Sequence, residues 1–537
     1  MTDHPHSPSP SFAEHYLGQV SSKLPVVRQI LQQYGHVPLG TYFDRFSQIT
    51  PPPYQPREDV WDCIYEYAAP LLGKTLAAQV IQDIAAYPVL LTANHLGVDY
   101  YSQFMQASLL MAVMSMSGVN NSKTVPVFSC GHIPLNNTAY PRGILVYQAA
   151  AKKLETLPVK LPIFPERLRS HLVSVLPSFD LEMLKRASST VLRMTGKHLI
   201  SGDIGNTLTM LLDEEYFPVL VRALPFYSQQ CTLVNHRIWR RLFTASMTVP
   251  DLVYLEHEKI LTLLLRKDLR NQRSLTWQVF FDAELRTPVL EALDGVPGCW
   301  EYRKLKQRYQ TTLDGRTVRS VKGPLKRELE LGGTVFFWAV DREGRRVPLF
   351  LDDCGEKGLF LHGVNDYGER LEFPFTPEVI IRNLSAYHLI PSGFTCFLPL
   401  AFARGIICVG GYFQCEYLPA MQKGLVSALQ SLTRFCDIAE FVKQVPTDLY
   451  LFGMLGVLSN IHDEALVPAG PVEIITHGGL SKSDIERIVS LTVKDAHIAA
   501  LYDSLLHDVS PDFSHEGWKH RLAESCWQLL EKKVVIR

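Results

Sequence analysis

Hydrophobic positions along the chain follow two periods. Between residues 12 and 87 they recur at helix spacing. Val26, Val27, Ile30 and Leu31 share a face, Pro51-Pro52-Pro53 interrupts, and a second helical stretch runs from about Asp59 to Ala85. The period then changes. Pro88 to Ala93 (PVLLTA) is a continuous apolar run of strand length, closed by the tight loop Asn94-His95-Leu96-Gly97. A helix with an apolar face is predicted from Asp99 to about Val113. A second buried strand follows over Val125 to Phe128, then a loop over Cys130 to Tyr140. Strand, loop, helix, strand is the order of a parallel, doubly wound sheet.

Pro158 to Pro177 reads as connective and Leu181 to Met194 as helix. Ser201 to Asn206 is a turn opening another helix, and Pro218 to Leu224 is a candidate strand. From Asp251 to Leu293 the pattern is that of amphipathic helix, which puts Glu256-His257-Glu258 on a solvent-facing side. Gly333 to Leu361 alternates like a β-hairpin with its turn at Asp341 to Gly344. Thr376-Pro377-Glu378 starts a helix, with Pro at the first helical position. Pro391 to Pro419 is the stretch around which the rest is organised. An apolar helix leads to Arg404-Gly405, then to Ile406-Ile407-Cys408-Val409, and ends in Gly410-Gly411. A buried strand that runs into glycines and opens onto Tyr412, Gln414, Glu416 and Tyr417 is how α/β proteins build a ligand crevice. The expected architecture is α/β, a Rossmann-like parallel sheet core over 85–425 that carries the hairpin near 333–361. A helical N-terminal region (1–84, with a disordered tip) precedes it, and a helical C-terminal region (426–537) follows.

Composition narrows the function classes. Of 537 residues, 47% are hydrophobic and 20% charged, and the net charge is −1, so no general field draws nucleic acid or anionic lipid. The basic clusters (Arg237, Arg240, Arg241; Lys304, Lys306, Arg308) are local. Ten cysteines without a CxxC pair argue against a zinc ribbon or a thioredoxin-type centre and suit a reducing cytosol. The N-terminus lacks the basic and apolar regions of a secretory signal, and no 18-residue run is apolar enough to span a membrane. The expectation is a cytoplasmic protein with a small-molecule partner, no nucleic acid, no membrane, and homodimerisation by base rate alone.

Candidate chemistry clusters at predicted strand ends. Thr92, Asn94, His95, Gly97 and Asp99 follow the first strand, where open α/β sheets place ligands. Cys130, His132, Asn136 and Asn137 follow the second. If the strands are parallel, both loops share one sheet edge, which pairs His95 with His132 for acid–base work. Cys130 is disfavoured as a nucleophile, because nothing in the sequence lowers its pKa. Asp203 and Asn206 sit in a Gly-flanked turn that suits either an anion or a helix cap, and Asn235-His236-Arg237 is a weaker version of the same idea. GxGxxG, GxxxxGK[ST] and GxSxG are absent, so ordinary dinucleotide binding, P-loop hydrolysis and α/β-hydrolase chemistry lose support. His95 and Asp99 are one residue short of the His-x4-Asp spacing of glycerolipid acyltransferases.

The order of these motifs resembles the bacillithiol-synthesis cysteine-adding enzyme family. Its TGQQxG loop is similar to Thr92 to Gly97. Its PVFW-x-x-EDHD segment is similar to Val125 to His132, with the His kept. Its VGGPGEIAYW segment resembles Val409 to Tyr417, with the Glu offset by two. The resemblance spans roughly 85–425. It departs at EDHD, whose acidic residues are Cys130, Gly131 and Ile133 here, at both Gln of TGQQ, and at the family's coiled coil. It implies a Rossmann-like core and a cytosolic, bacterial ligase that forms a C–N (amide-type) bond on a small polar metabolite, with a nucleotide as candidate cofactor. His95 and His132 would be the acid–base pair, with Asp99 orienting. Thr92, Asn94, Gly97, Asn136, Asn137, Asp203, Asn206, Gly410, Gly411, Glu416 and Tyr417 would bind substrate. The rival expectations are a metal-dependent hydrolase with His95, Asp99, His132 and Asp203 as ligands, a non-catalytic ligand-binding protein, and an acyltransferase.

Overall fold

The computed structural model describes residues 11–49, 57–149, 154–313, 332–461, 464–503 and 517–537. The polar N-terminal tip and the Pro51 to Pro53 break lie outside the described residues. Fourteen strands are described: β1 Val89–Leu91, β2 Thr124–Ser129, β3 Gly143–Val146, β4 Val159–Pro162, β5 Asp251–Glu256, β6 Phe337–Val340, β7 Arg346–Asp353, β8 Leu359–Val364, β9 Arg370–Pro374, β10 Leu389–Pro391, β11 Ile407–Val409, β12 Val457–Ile461, β13 Ala465–Pro468 and β14 Val535–Ile536.

Four of them form an all-parallel sheet in the order β11-β1-β2-β5. Leu91 pairs with Val409 on one side and with Val127 on the other, and Ser129 pairs with Glu256. Both faces are covered. Val89, Leu91, Val125, Val127, Leu252 and Tyr254 point into one apolar cluster. Leu90, Phe128, Val253 and Leu255 point into another, built on the helices Glu58–Leu72, Lys74–Ala86 and His257–Asp268. A parallel sheet buried on both faces reads as continuous apolar runs, which is what made β1, β2 and β11 visible in the sequence. Each large apolar side chain so buried contributes about 1.5–3 kcal/mol relative to exposure.

The expected hairpin is part of a five-stranded antiparallel sheet, β10-β6-β7-β8-β9. Its first turn is built by Asp341, whose Oδ1 accepts from the amides of Glu343 and Arg345, and by Gly344 at φ 68°. The region after 426 is not helical throughout, for it carries the three-stranded sheet β13-β12-β14. The apolar cluster of the first helices (Ala13 to Phe46) is continuous with that of residues 449–535, so the two ends of the chain pack together. The helix Ser102–Met116, buried from Ser102 to Met114, fastens this assembly. Gln106 donates to Val457 and Ala469 carbonyls and accepts from the amides of Gly456 and Val457.

Three expectations are corrected. Val219–Arg222 is a helical turn after Pro218, not a strand. The connective 158–177 contains β4, which pairs antiparallel with β3. Asp251–Glu256 is strand β5, not helix, and the helix begins only at His257. The run Leu252-Val253-Tyr254-Leu255 is apolar on both faces and flows straight into an amphipathic helix, so periodicity alone did not separate them. Among the described residues, no helix is long and apolar enough to cross a membrane.

Candidate functional site

The register of the parallel sheet decides which residues meet. Beyond Leu91 and Val127 the pairing continues to a bridge between His95 and Cys130, with Cys130 N donating to Asn94 O and Leu96 N to Cys130 O. Beyond Ser129 and Glu256 the chain continues into Cys130-Gly131-His132 on one strand and His257-Glu258 on the other. Beyond Val409 it continues into Gly410 and Gly411. The carboxyl ends of all four strands therefore border one cavity of about 700 Å³, the place where open α/β sheets bind ligands. Its apolar wall includes Phe104, Trp300, Trp338, Phe397, Tyr417 and Phe452.

Glu258 lies behind the polar wall and holds its residues in place. Its carboxylate, 3% exposed, accepts from the Gly131 amide (2.8 and 2.7 Å) and the His132 amide (2.9 Å), and from His132 Nδ1 (2.8 Å). Burial works against its charge. The His132 hydrogen bond and imidazole, the nearby His257 and the backbone donors outweigh burial and hold the group down at about 2. Cys130 Sγ lies 3.1 Å from His132 Nδ1 and 3.4 Å from Nε2. Burial, then the Glu258 charge, pushes the thiol up, so Cys130 is a protonated thiol in this state.

His95 is set from the other side. Its Nδ1 lies 2.7 Å from Asn137 Oδ1, and that oxygen also accepts from the Ala139 amide at 3.2 Å. An atom that accepts a backbone N–H is the amide oxygen, so His95 Nδ1 carries the proton and Nε2 is left bare. Burial pushes His95 down to about 4, partly offset by the Asn137 bond, and keeps the ring neutral.

The expected site residues divide. Thr92, His95, His132, Asn137, Gly411 and Tyr417 line the cavity. Thr92 Oγ1 is held there by Gln414 Nε2 at 2.8 Å. Asn94, Gly97 and Asp99 do not line it. They are the frame of the loop: Asn94 Nδ2 donates to Asp99 Oδ2, and Asn235 accepts from the Asp99 amide and donates to Gly97 O. Asn235 therefore clamps this loop from within the helix Tyr227–Arg241 and is no anion turn. Burial pushes the Asp99 carboxyl well above its ordinary value. Asn136 is exposed and faces away, its amide bonded to Arg169 O. Asp203 and Asn206 lie on the solvent face of the helix Gly202–Leu211, whose cap is Ser201. Glu416 accepts from the Val26 amide, outside the cavity. A Cβ at Gly410 would meet the Gln414 side chain at 2.4 Å, and one at Gly411 would meet Phe452 at 2.6 Å. The two glycines thus admit neighbouring side chains, and Gly411 alone of the pair reaches the cavity wall.

Sequence reasoning missed Glu258, His257, Gln103 and Asp503. His257 and Glu258 are buried, not solvent-facing, because β5 ends immediately before them. Gln103 Oε1 and His257 Nε2 are buried, belong to residues of the cavity wall, and have no hydrogen-bond partner among the described residues. Such atoms are uncommon in folded proteins and take a water, an ion or a ligand as partner where no protein group reaches them. Asp503 lines the cavity as well. Ser102 and Tyr147 donate to it, and burial raises its carboxyl. The C-terminal region thus supplies a site residue, which no local motif announces.

No protein-family model and no curated protein sequence matches the chain.

Proposed function

We propose that this chain is an enzyme that forms an amide-type C–N bond on a small molecule held in the cavity, built on a Rossmann-like core. The observation that carries the reading is the convergence of two differently prepared imidazoles. His95 presents an unprotonated Nε2, fit to take a proton from an attacking amine. His132 is held in the cavity wall by the buried Glu258 carboxylate, 2.8 Å from its Nδ1, and is the acid of the proposed pair. Asp503 and Glu301 are carboxyl groups of the cavity wall that can pair with an amine. Arg346 stands over the Trp338 ring, 4.7 Å from its centre, and donates to His132 O. Arg346 is exposed and does not itself line the cavity, but beside Trp338 and His132, which do, it is placed to meet a carboxylate or phosphate that reaches out of it. The aromatic wall favours a substrate with an apolar or ring-bearing part. The resemblance to the cysteine-adding family points to the same reaction class.

The test pools amines, carboxylic acids and a nucleoside triphosphate with the protein and follows consumption and product mass by mass spectrometry. A condensed product made by the wild type and lost in His95→Gln and His132→Gln is expected. Equal product from both variants removes the reading. Hydrolysis is the second reading, and the donor set around His132 favours it where a metal ion is present.

A further inference from the structure

Cys130, His132 and Glu258 offer a sulfur, a nitrogen and an oxygen that all lie within 4.8 Å of one another. Register brings them together: β2 delivers the first two, β5 delivers the third, and the two strands pair in parallel up to Ser129 and Glu256. We infer that these three side chains bind a divalent transition metal ion at the floor of the cavity, with a coordination position open toward the substrate. Only its chemical consequence rests on the reading of the cavity as a reaction centre; the binding does not.

Four observations carry it. A mixed thiolate, imidazole and carboxylate set suits zinc-like ions and excludes Mg²⁺ and Ca²⁺, which take oxygen ligands. Three protein ligands beside a cavity is the pattern of an open, catalytic site, whereas structural zinc sites close with four. The outer shell is present: the carboxylate is pinned by the Gly131 and His132 amides, which fix its direction without any side chain. The spacing is near what an ion needs. Separations of 2.8 Å (His132 to Glu258) and 3.1 Å (Cys130 to His132) subtend roughly 90° at ordinary Zn–N, Zn–O and Zn–S lengths. Widening each by about 0.5 Å gives a tetrahedral angle. In the metal-free state His132 Nδ1 is bonded to Glu258 and a proton sits on Cys130. Binding at Nδ1 leaves the ring's proton on Nε2, and the thiol gives up its own proton to solvent, as metal binding to thiols requires. With the ion bound, His132 is a ligand. The base role then stays with His95 Nε2, and His257 Nε2, unpartnered in the same wall, can bond an ion-bound water.

The experiment is a Co²⁺ titration of chelator-stripped protein, followed by absorbance. It is done in a Cys354→Ser background, because Cys354 Sγ lies 3.5 Å from His362 Nε2 and is an exposed second thiol–imidazole pair. One saturable equivalent with a thiolate-to-cobalt charge-transfer band is expected. The band should vanish in Cys130→Ser, a one-atom change that keeps the loop folded. Affinity should fall at least tenfold in His132→Gln, and Zn²⁺ but not Mg²⁺ should displace the ion. Absence of stoichiometric binding overturns the inference, as does a band that persists in both variants. The titration needs no substrate, so it separates the two claims. If Co²⁺ fails to bind while His132→Gln still abolishes turnover by stripped protein, the metal site falls and the proposed function stands. If Co²⁺ binds as described and no histidine variant changes turnover, the reverse holds.

Discussion

Glu258 Oε1 and His132 Nδ1 stand 2.8 Å apart across 126 residues of sequence. The bond joins the ends of two adjacent parallel strands and closes the loop that holds Cys130. It makes Glu258 a structural as well as a chemical residue. Replacing Glu258 by Ala leaves the Gly131 and His132 amides without their acceptor, at a cost of about 2–4 kcal/mol. Urea unfolding at neutral pH should show that loss. Glu258→Gln, which keeps the shape and one acceptor, should lose about half as much. Equal stability of the Ala variant and the wild type contradicts the clamp.

Gly411 has no room for a side chain. A Cβ there meets the Phe452 ring at 2.6 Å, and such overpacking costs about 1–3 kcal/mol. Gly411→Ala should lower the melting temperature in calorimetry. Gly202→Ala, with nothing within 4 Å of its Cβ, should leave the temperature unchanged or raise it slightly.

Arg404 binds Asp59 and Asp268, each with an Nη2 to carboxylate distance of 2.5 Å, and so ties two helices beneath the sheet. Asp268 is 3% exposed, and a charge so placed is costly without its partner. Arg404→Ala should destabilise by about 3–5 kcal/mol. Asp268→Asn in the same chain should recover part of it, and a purely additive double variant contradicts the coupling.

His497 sets an acid limit. It is buried between Tyr450 and the Tyr412 ring, and burial pushes it down to about 4. An unfolded histidine takes its proton near pH 6.5. The unfolded chain therefore binds the proton first. The stability from neutral His497 is complete above about pH 6.5 and is lost as pH falls toward 4. The difference amounts to about 3 kcal/mol. Denaturant titrations at pH 7 and pH 5 should show the slope, and His497→Gln should flatten it. An unchanged slope in the variant removes His497 as its source.

The strands that sequence made legible are those whose two faces are both apolar: β1, β2 and β11 announce themselves as short uninterrupted runs. From them the meeting of the Thr92 to His95 loop, His132 and the Gly411 segment was readable. β5 was not, because its apolar run merges with the helix after it, and with β5 went Glu258 and His257. A carboxylate between two strand ends looks, in the sequence, like a helix surface residue. Asp203 and Asn206 failed for the opposite reason. Their turn has the chemistry of a cap, and Ser201 makes it one. Asp503 depends on how the chain's end returns to the core, which no local pattern records.

On the proposed function, the cavity lined by His95 and His132, with Glu258 behind His132, is where the chain does its chemistry. The most direct test is kcat/KM for one consumed compound across four variants. His95→Gln, His132→Gln and Glu258→Gln should each fall at least a hundredfold, about 2.7 kcal/mol of transition-state stabilisation. Asp203→Asn, on the solvent face of its helix, should match the wild type. Full activity in His132→Gln and Glu258→Gln, or loss in Asp203→Asn alone, places the chemistry elsewhere.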